Sequence, residues 1–138
     1  MTLNIPATTK RVELHTSKCT NQRIRKETLD NISSYTNKSN EEILARINEL
    51  NKEWDIERLL ETNAAAVVIL GTVLGFTVNK KWFVISGIAG GFLLQHAIKG
   101  WCPPVPILRR LGVRTSSEIN YEKEALKEMR RNNAEGTV

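Results

Sequence analysis

The sequence predicts an all-α integral membrane protein: a two-helix membrane hairpin, preceded by a cytoplasmic amphipathic helical segment and followed by a short C-terminal helix. Three observations predict it. Two apolar runs, AAAVVILGTVLGFTV from Ala64 to Val78 and WFVISGIAGGFLLQHAI from Trp82 to Ile98, contain no Asp, Glu, Lys or Arg, and only Asn79, Lys80 and Lys81 separate them. Neither run offers a polar face at any helical phase, which helices of a soluble bundle keep. The rest of the chain has too little apolar sequence to cover both runs all round, whereas lipid would do so. The expected division is a cytoplasmic helical segment at residues 1–61, a hairpin at 62–101 with spans near 62–79 and 82–100, and a basic juxtamembrane turn and helix at 102–138.

Composition bounds the function. The chain has 138 residues, 41% hydrophobic and 25% charged, an average that fits one globular domain. That average conceals an asymmetry. Residues 1–62 carry ten basic and ten acidic side chains, while residues 63–138 carry ten basic and five acidic, so the net +5 belongs to the second half. These values exclude a disordered chain, a disulfide scaffold and a collagen-like repeat, and a chain this small leaves little room for a deep multi-element pocket. The neutral first half lacks the basic stripe with stacking aromatics that nucleic acid binding requires.

The first dozen residues show no apolar core after a basic start, so no cleavable secretory signal is expected. From Thr20, read as an N-cap, to Tyr35, the positions Ile24, Thr28 or Leu29, Ile32 and Tyr35 form an imperfect helical stripe. Ser39 to Glu42 reads as a capping box, opening a second helix. Its apolar positions Ile43, Ile47, Leu50 and Trp54 step by four, three and four, so one side needs a partner or a membrane surface. Without Gly or Pro up to Leu60, this helix is free to continue into the first apolar run.

With Thr62, Asn63 and Asn79, the first run is 18 residues, about 27 Å at a rise of about 1.5 Å per residue, close to the roughly 30 Å of hydrocarbon in a bilayer. Trp82 and Trp101 stand 19 positions apart, about 28 Å along a helix, as two interfacial aromatic belts would. Arg46, Lys52 and Arg58 precede the hairpin and Lys99, Arg109, Arg110 and Arg114 follow it, against Lys80 and Lys81 within it. This basic excess predicts that both termini are cytoplasmic. Pro103, Pro104 and Pro106 stop the second helix. Beyond them Ile107, Leu108, Leu111 and Val113 mingle with Arg109, Arg110 and Arg114, which suits either contact with anionic headgroups or a solvated turn. Thr115 to Glu118 is a second capping box, and Ile119, Glu122 or Lys123, Leu126 and Met129 mark a last helix ending near Arg131. The terminal NNAEGTV is expected to fray.

Candidate functional residues are few. Gly71 with Gly75 and Gly87 with Gly91 place one GxxxG in each span, a pattern that lets helices approach closely. Gln95 follows on the second face, where it could hydrogen-bond across a contact. Whether these faces join one hairpin or two copies stays open; a homo-oligomer is expected. His96 sits near the cytoplasmic end of the second span, as an ionisable functional group or an interfacial residue reaching headgroups. Cys102 lies near Lys99 and Arg109, whose field would favour the thiolate, so it is either a plain structural Cys or a thiol that accepts sulfur or an oxidising equivalent. Trp82, Trp101, Arg109 and Arg110 are the expected interface anchors. His15 and Cys19 would need further ligands to hold zinc, so no metal and no cofactor is expected. Neither a phosphate loop nor GxGxxG, HExxH, GxSxG or a spaced CxxC pair occurs, and no catalysis is expected.

The stretch Asp55-Ile56-Glu57-Arg58, the two spans, Gly100-Trp101-Cys102-Pro103-Pro104 and Leu111-Gly112-Val113-Arg114-Thr115 resembles the YgaP-like transmembrane domain family of bacterial inner-membrane proteins. With Thr20-Asn21-Gln22-Arg23-Ile24 and Trp54 ahead of the hairpin, the likeness extends from Val12 to Arg131 and looks like a stand-alone subgroup. The resemblance implies a two-helix membrane hairpin that can dimerise, found alone or fused to a rhodanese sulfurtransferase domain. Cys19 is not in a Cys-x-x-Gly-x-x loop, so sulfur transfer does not carry over, although a separate sulfurtransferase partner is compatible with it. A membrane anchor or oligomeric scaffold is the leading expectation. A thiol-dependent helper acting through Cys102 and a soluble or peripheral helical binding module are the rivals.

Overall fold

The computed structural model describes residues 7 and 9–135, and these fold into seven α-helices with no strand among them. They are α1 (Arg11–Leu14), α2 (Lys18–Ser34), α3 (Asn40–Leu50), α4 (Ile56–Thr77), α5 (Trp82–Lys99), α6 (Val105–Arg110) and α7 (Ser116–Glu135). Gly136 to Val138, part of the tail expected to fray, lie outside the described residues, while Asn132 to Glu135 are helical.

Capping chemistry sets most of the boundaries. Helix α2 is capped by the Ser17 hydroxyl, which accepts the Thr20 N–H at 3.2 Å, so it begins before the expected Thr20 cap. At α3 the capping box forms in both directions, the Glu42 N–H to Ser39 Oγ at 3.3 Å and the Ser39 N–H to the Glu42 carboxylate at 3.0 Å. The matching box at α7 joins Thr115 and Glu118. One long helix running from α3 into the apolar run does not form. The backbone leaves the helix after Leu50, and Asp55 Oδ1 accepts the Arg58 N–H at 2.8 Å to start α4 afresh. Trp54 consequently departs from the apolar face of α3 and lies exposed over the Arg58 guanidinium at 4.6 Å.

Helices α4 and α5 pack along each other as an antiparallel pair joined at 78–81. Gly71 is needed at their contact, because a Cβ there would stand 2.5 Å from Ser86 Oγ and 3.2 Å from the Trp82 carbonyl oxygen. Ser86 Oγ donates to the Val68 carbonyl at 3.1 Å and lies 3.3 Å from Thr72 Oγ1, while the Phe76 and Phe83 rings meet edge to face. Away from this seam the pair is apolar and open: Ile69, Leu70, Val73, Phe76, Val84, Ile88 and Leu94 are all exposed, Phe76 to 80%. Helix α4 is long and apolar enough to cross a membrane. The shorter α5 ends in Gln95, His96 and Lys99, which give its last turn a polar character.

Segments before and after the hairpin share their cores. Ile43, Ile47 and Leu50 of α3 are buried with Ile119 and Leu126 of α7, and Tyr35 and Met129 close the edges. The partner that the amphipathic α3 requires is thus α7, and α2 also packs against α7. A second core joins Val12, Ile56, Leu60, Cys102 and Val105 where α1, the start of α4 and α6 converge. Helix α5 stops at Gly100, whose φ of +76° suits only glycine at low cost and whose missing side chain admits Arg11.

Candidate functional site

The base of the hairpin is where the chemistry-bearing residues gather. Arg11 of α1 clasps both helices there. Its guanidinium forms two hydrogen bonds with the Glu57 carboxylate, at 2.6 and 3.3 Å, and donates to the Ala97 carbonyl at 2.8 Å, satisfying an acceptor that the end of α5 leaves free. His96 is 3% exposed at this junction, and both ring nitrogens lack a hydrogen-bond partner among the described residues. It therefore does not reach outward to headgroups.

Cys102 is 7% exposed in the core with Val12, Ile56, Leu60 and Val105. Burial pushes its thiol up, the reverse of the activation expected from Lys99 and Arg109. Arg109 points inward to other partners. Cys19 is exposed.

Arg109 is fully buried and is not an interface anchor. Its guanidinium grips Glu118 through two hydrogen bonds, at 2.7 and 2.8 Å, and also donates to Asn21 at 2.9 Å, Thr16 at 3.2 Å and the Val113 carbonyl at 3.0 Å. Burial alone would raise the Glu118 pKa, but Arg109 and the Thr115 N–H hold it below the usual carboxylate range. Arg114 is withdrawn in the same way. It pairs with Glu53 at 2.5 Å and with the fully buried Glu122, which also receives Arg46 at 3.0 Å. Two of the three arginines expected on the membrane-facing turn thus hold α6 and α7 to the rest of the helices outside the hairpin. Arg110 alone of the three remains exposed.

Trp82 and Trp101 keep about a third of their surface open at the two ends of α5. Gly71 and Gly75 are buried against Ser86 and Phe83 inside the hairpin, whereas a Cβ at Gly87, Gly90 or Gly91 would meet nothing within 4 Å. The two glycine pairs therefore do not face one another, and Gln95 is half-buried beyond the second. A cleft of about 420 Å³ opens between α2 and the start of α7, lined by residues that include Glu13, Gln22, Arg25 and Tyr121. The charged groups of the buried network are committed to one another, which is the arrangement of a structural clamp.

Residues 55–118 match the family model for the transmembrane domain of inner membrane protein YgaP-like. This segment is a YgaP-like transmembrane domain. The match begins at the Asp55 cap and ends at Glu118, so it takes in the hairpin, α6 and the Arg109–Glu118 clamp, and the chain is a membrane protein of inner-membrane type. No curated protein and no solved structure matches the chain. Helices α2, α3 and most of α7 lie outside the YgaP-like domain, and α2 and α3 both pack on α7.

Proposed function

We propose that this chain is a non-enzymatic integral membrane protein whose α4–α5 hairpin crosses the inner membrane twice, holding a cytoplasmic helical cluster at the surface as an anchor or oligomeric scaffold. One observation carries the two-span reading. Helices α3 and α7, which precede and follow the hairpin, bury Ile43, Ile47, Leu50, Ile119 and Leu126 in one core. A core cannot form from segments on opposite sides of roughly 30 Å of hydrocarbon. If α4 spans, α5 must return. The open apolar surface of both helices supports lipid as their surroundings, and argues against a soluble or peripheral module. The basic residues flanking the hairpin favour the cytoplasmic side for the cluster. A homo-oligomer is supported by the unfilled Gly87, Gly90 and Gly91 face of α5. Burial of Cys102 offers no support to the thiol-dependent helper.

Topology is tested with a membrane-impermeant maleimide on intact spheroplasts and on lysed ones. The exposed Cys19 is expected to react only after lysis, a cysteine introduced as Asn79→Cys in the hairpin turn in both samples, and Cys102 in neither until the protein is denatured. Labelling of Cys19 in intact cells, or protection of position 79, would overturn the topology.

A further inference from the structure

We propose that the outer face of α6 is an in-plane membrane contact, seating the cytoplasmic cluster on an anionic lipid surface through Ile107, Leu111 and Arg110. The inference rests on the two-span reading and adds to it where the cluster meets the bilayer. Helix α6 is divided between two environments. Val105 and Arg109 are buried and Leu108 packs on the core, while Ile107 is 62% and Leu111 76% exposed, among the most open large apolar side chains outside the hairpin. These two are four positions apart and so share one side of the helix. Isolated exposed leucines need no explanation, but this pair lies at a telling depth.

The inner face of α6 packs against Ile56 and Leu60 of α4. Those residues stand six and two positions before residue 62, where the first span is expected to begin, which at about 1.5 Å per residue puts α6 roughly 3 to 9 Å outside the hydrocarbon. The headgroup layer occupies about 5 to 8 Å on each side of a bilayer, and interfacial helices sink their apolar faces to comparable depths. Trp101, itself exposed, stands next to Gly100 in the stretch of chain that joins α5 to α6. Charge points the same way. With Arg109 and Arg114 paired internally, Arg110 is the exposed cation of this segment. Arg23 of α2 donates to the Arg110 carbonyl at 2.6 Å, bringing beside it a half-exposed guanidinium that also pairs loosely with Glu27 at 3.8 Å. Cations so placed attract anionic headgroups.

The test is site-directed spin labelling of the full chain in vesicles, on a Cys19→Ser background. Single variants Ile107→Cys and Leu111→Cys are compared with Val73→Cys on the open face of α4 and Asn120→Cys on the exposed side of α7, by collision with oxygen and with a water-soluble nickel chelate. In vesicles containing phosphatidylglycerol, positions 107 and 111 are expected to show an oxygen-to-nickel ratio several-fold above position 120 and below position 73. Adding Arg110→Gln, or replacing phosphatidylglycerol with phosphatidylcholine, should lower that ratio at 107 and 111 and leave position 73 unchanged. Ratios at 107 and 111 equal to that at 120 overturn the proposal with the hairpin intact. Protection from both reagents overturns it in favour of a protein covering the face. A watery position 73 defeats the two-span reading itself.

Discussion

Glu122 shows how a single side chain can organise the helices outside the hairpin. It occupies the buried stripe of α7 between Ile119 and Leu126, where a carboxylate is costly unless cations accompany it. Arg114 and Arg46 supply them from two other segments, and Glu53 takes the remaining side of Arg114. Glu122→Ala would leave Arg114 buried with half its partners, so we expect a loss of about 3 to 5 kcal/mol in the stability of the helices outside the hairpin. The exposed Glu124→Ala should change it by no more than about 0.5 kcal/mol. Denaturant unfolding of both variants in detergent, followed by helical circular dichroism, checks this; equal effects would refute the clamp. The arginines were the least legible feature of the sequence. Arg109 and Arg114 look like a surface basic patch because their carboxylates lie nine and eight positions downstream, beyond any local pattern. The available signal was Glu122 itself, an acid on an apolar stripe that calls for a buried cation.

Elements were legible where backbone chemistry is local. The capping boxes at Ser39 and Thr115 involve groups three residues apart, and both form as the sequence implies. The break before α4 was missed because neither Gly nor Pro marks it; Asp55 does so through one hydrogen bond to the Arg58 N–H. The glycine pairs were visible, but their distinct surroundings depend on how α4 and α5 rotate about their own axes. Gly71→Val should force the helices apart, since even a Cβ would approach backbone atoms of Trp82 and Ser86. Gly91→Val adds a side chain to open space and should leave the hairpin of one chain unchanged. We therefore expect a fall in thermal stability in detergent for the first variant alone, while any loss of self-association belongs to the second. A destabilised hairpin in Gly91→Val would contradict this division.

At the scale of the whole molecule, the hairpin is an insertion between two halves of one helical cluster, and the cluster is closed by ion pairs. Positive residues act twice in this scheme. During insertion the uncompensated Lys and Arg count favours a cytoplasmic location, whereas after folding Arg46, Arg109 and Arg114 are tied to acids and no longer present their charge to lipid. This second role gives the stability a pH dependence whose sign is fixed by Glu118. Its folded pKa lies below the ordinary value of 4.5. The Glu118 contribution is therefore fully present above that value and is lost as the pH falls through the lower folded one. Unfolding measured by circular dichroism in detergent should show no Glu118-dependent change between pH 7 and about pH 5, then a steep loss below about pH 4. Glu118→Gln removes the counterion of a fully buried guanidinium, so it should be weaker at neutral pH and show a shallower acid limb. An acid limb equally steep in wild type and Glu118→Gln would place the acid-sensitive group elsewhere and remove the Arg109–Glu118 pair as the device that locks α6 to α7.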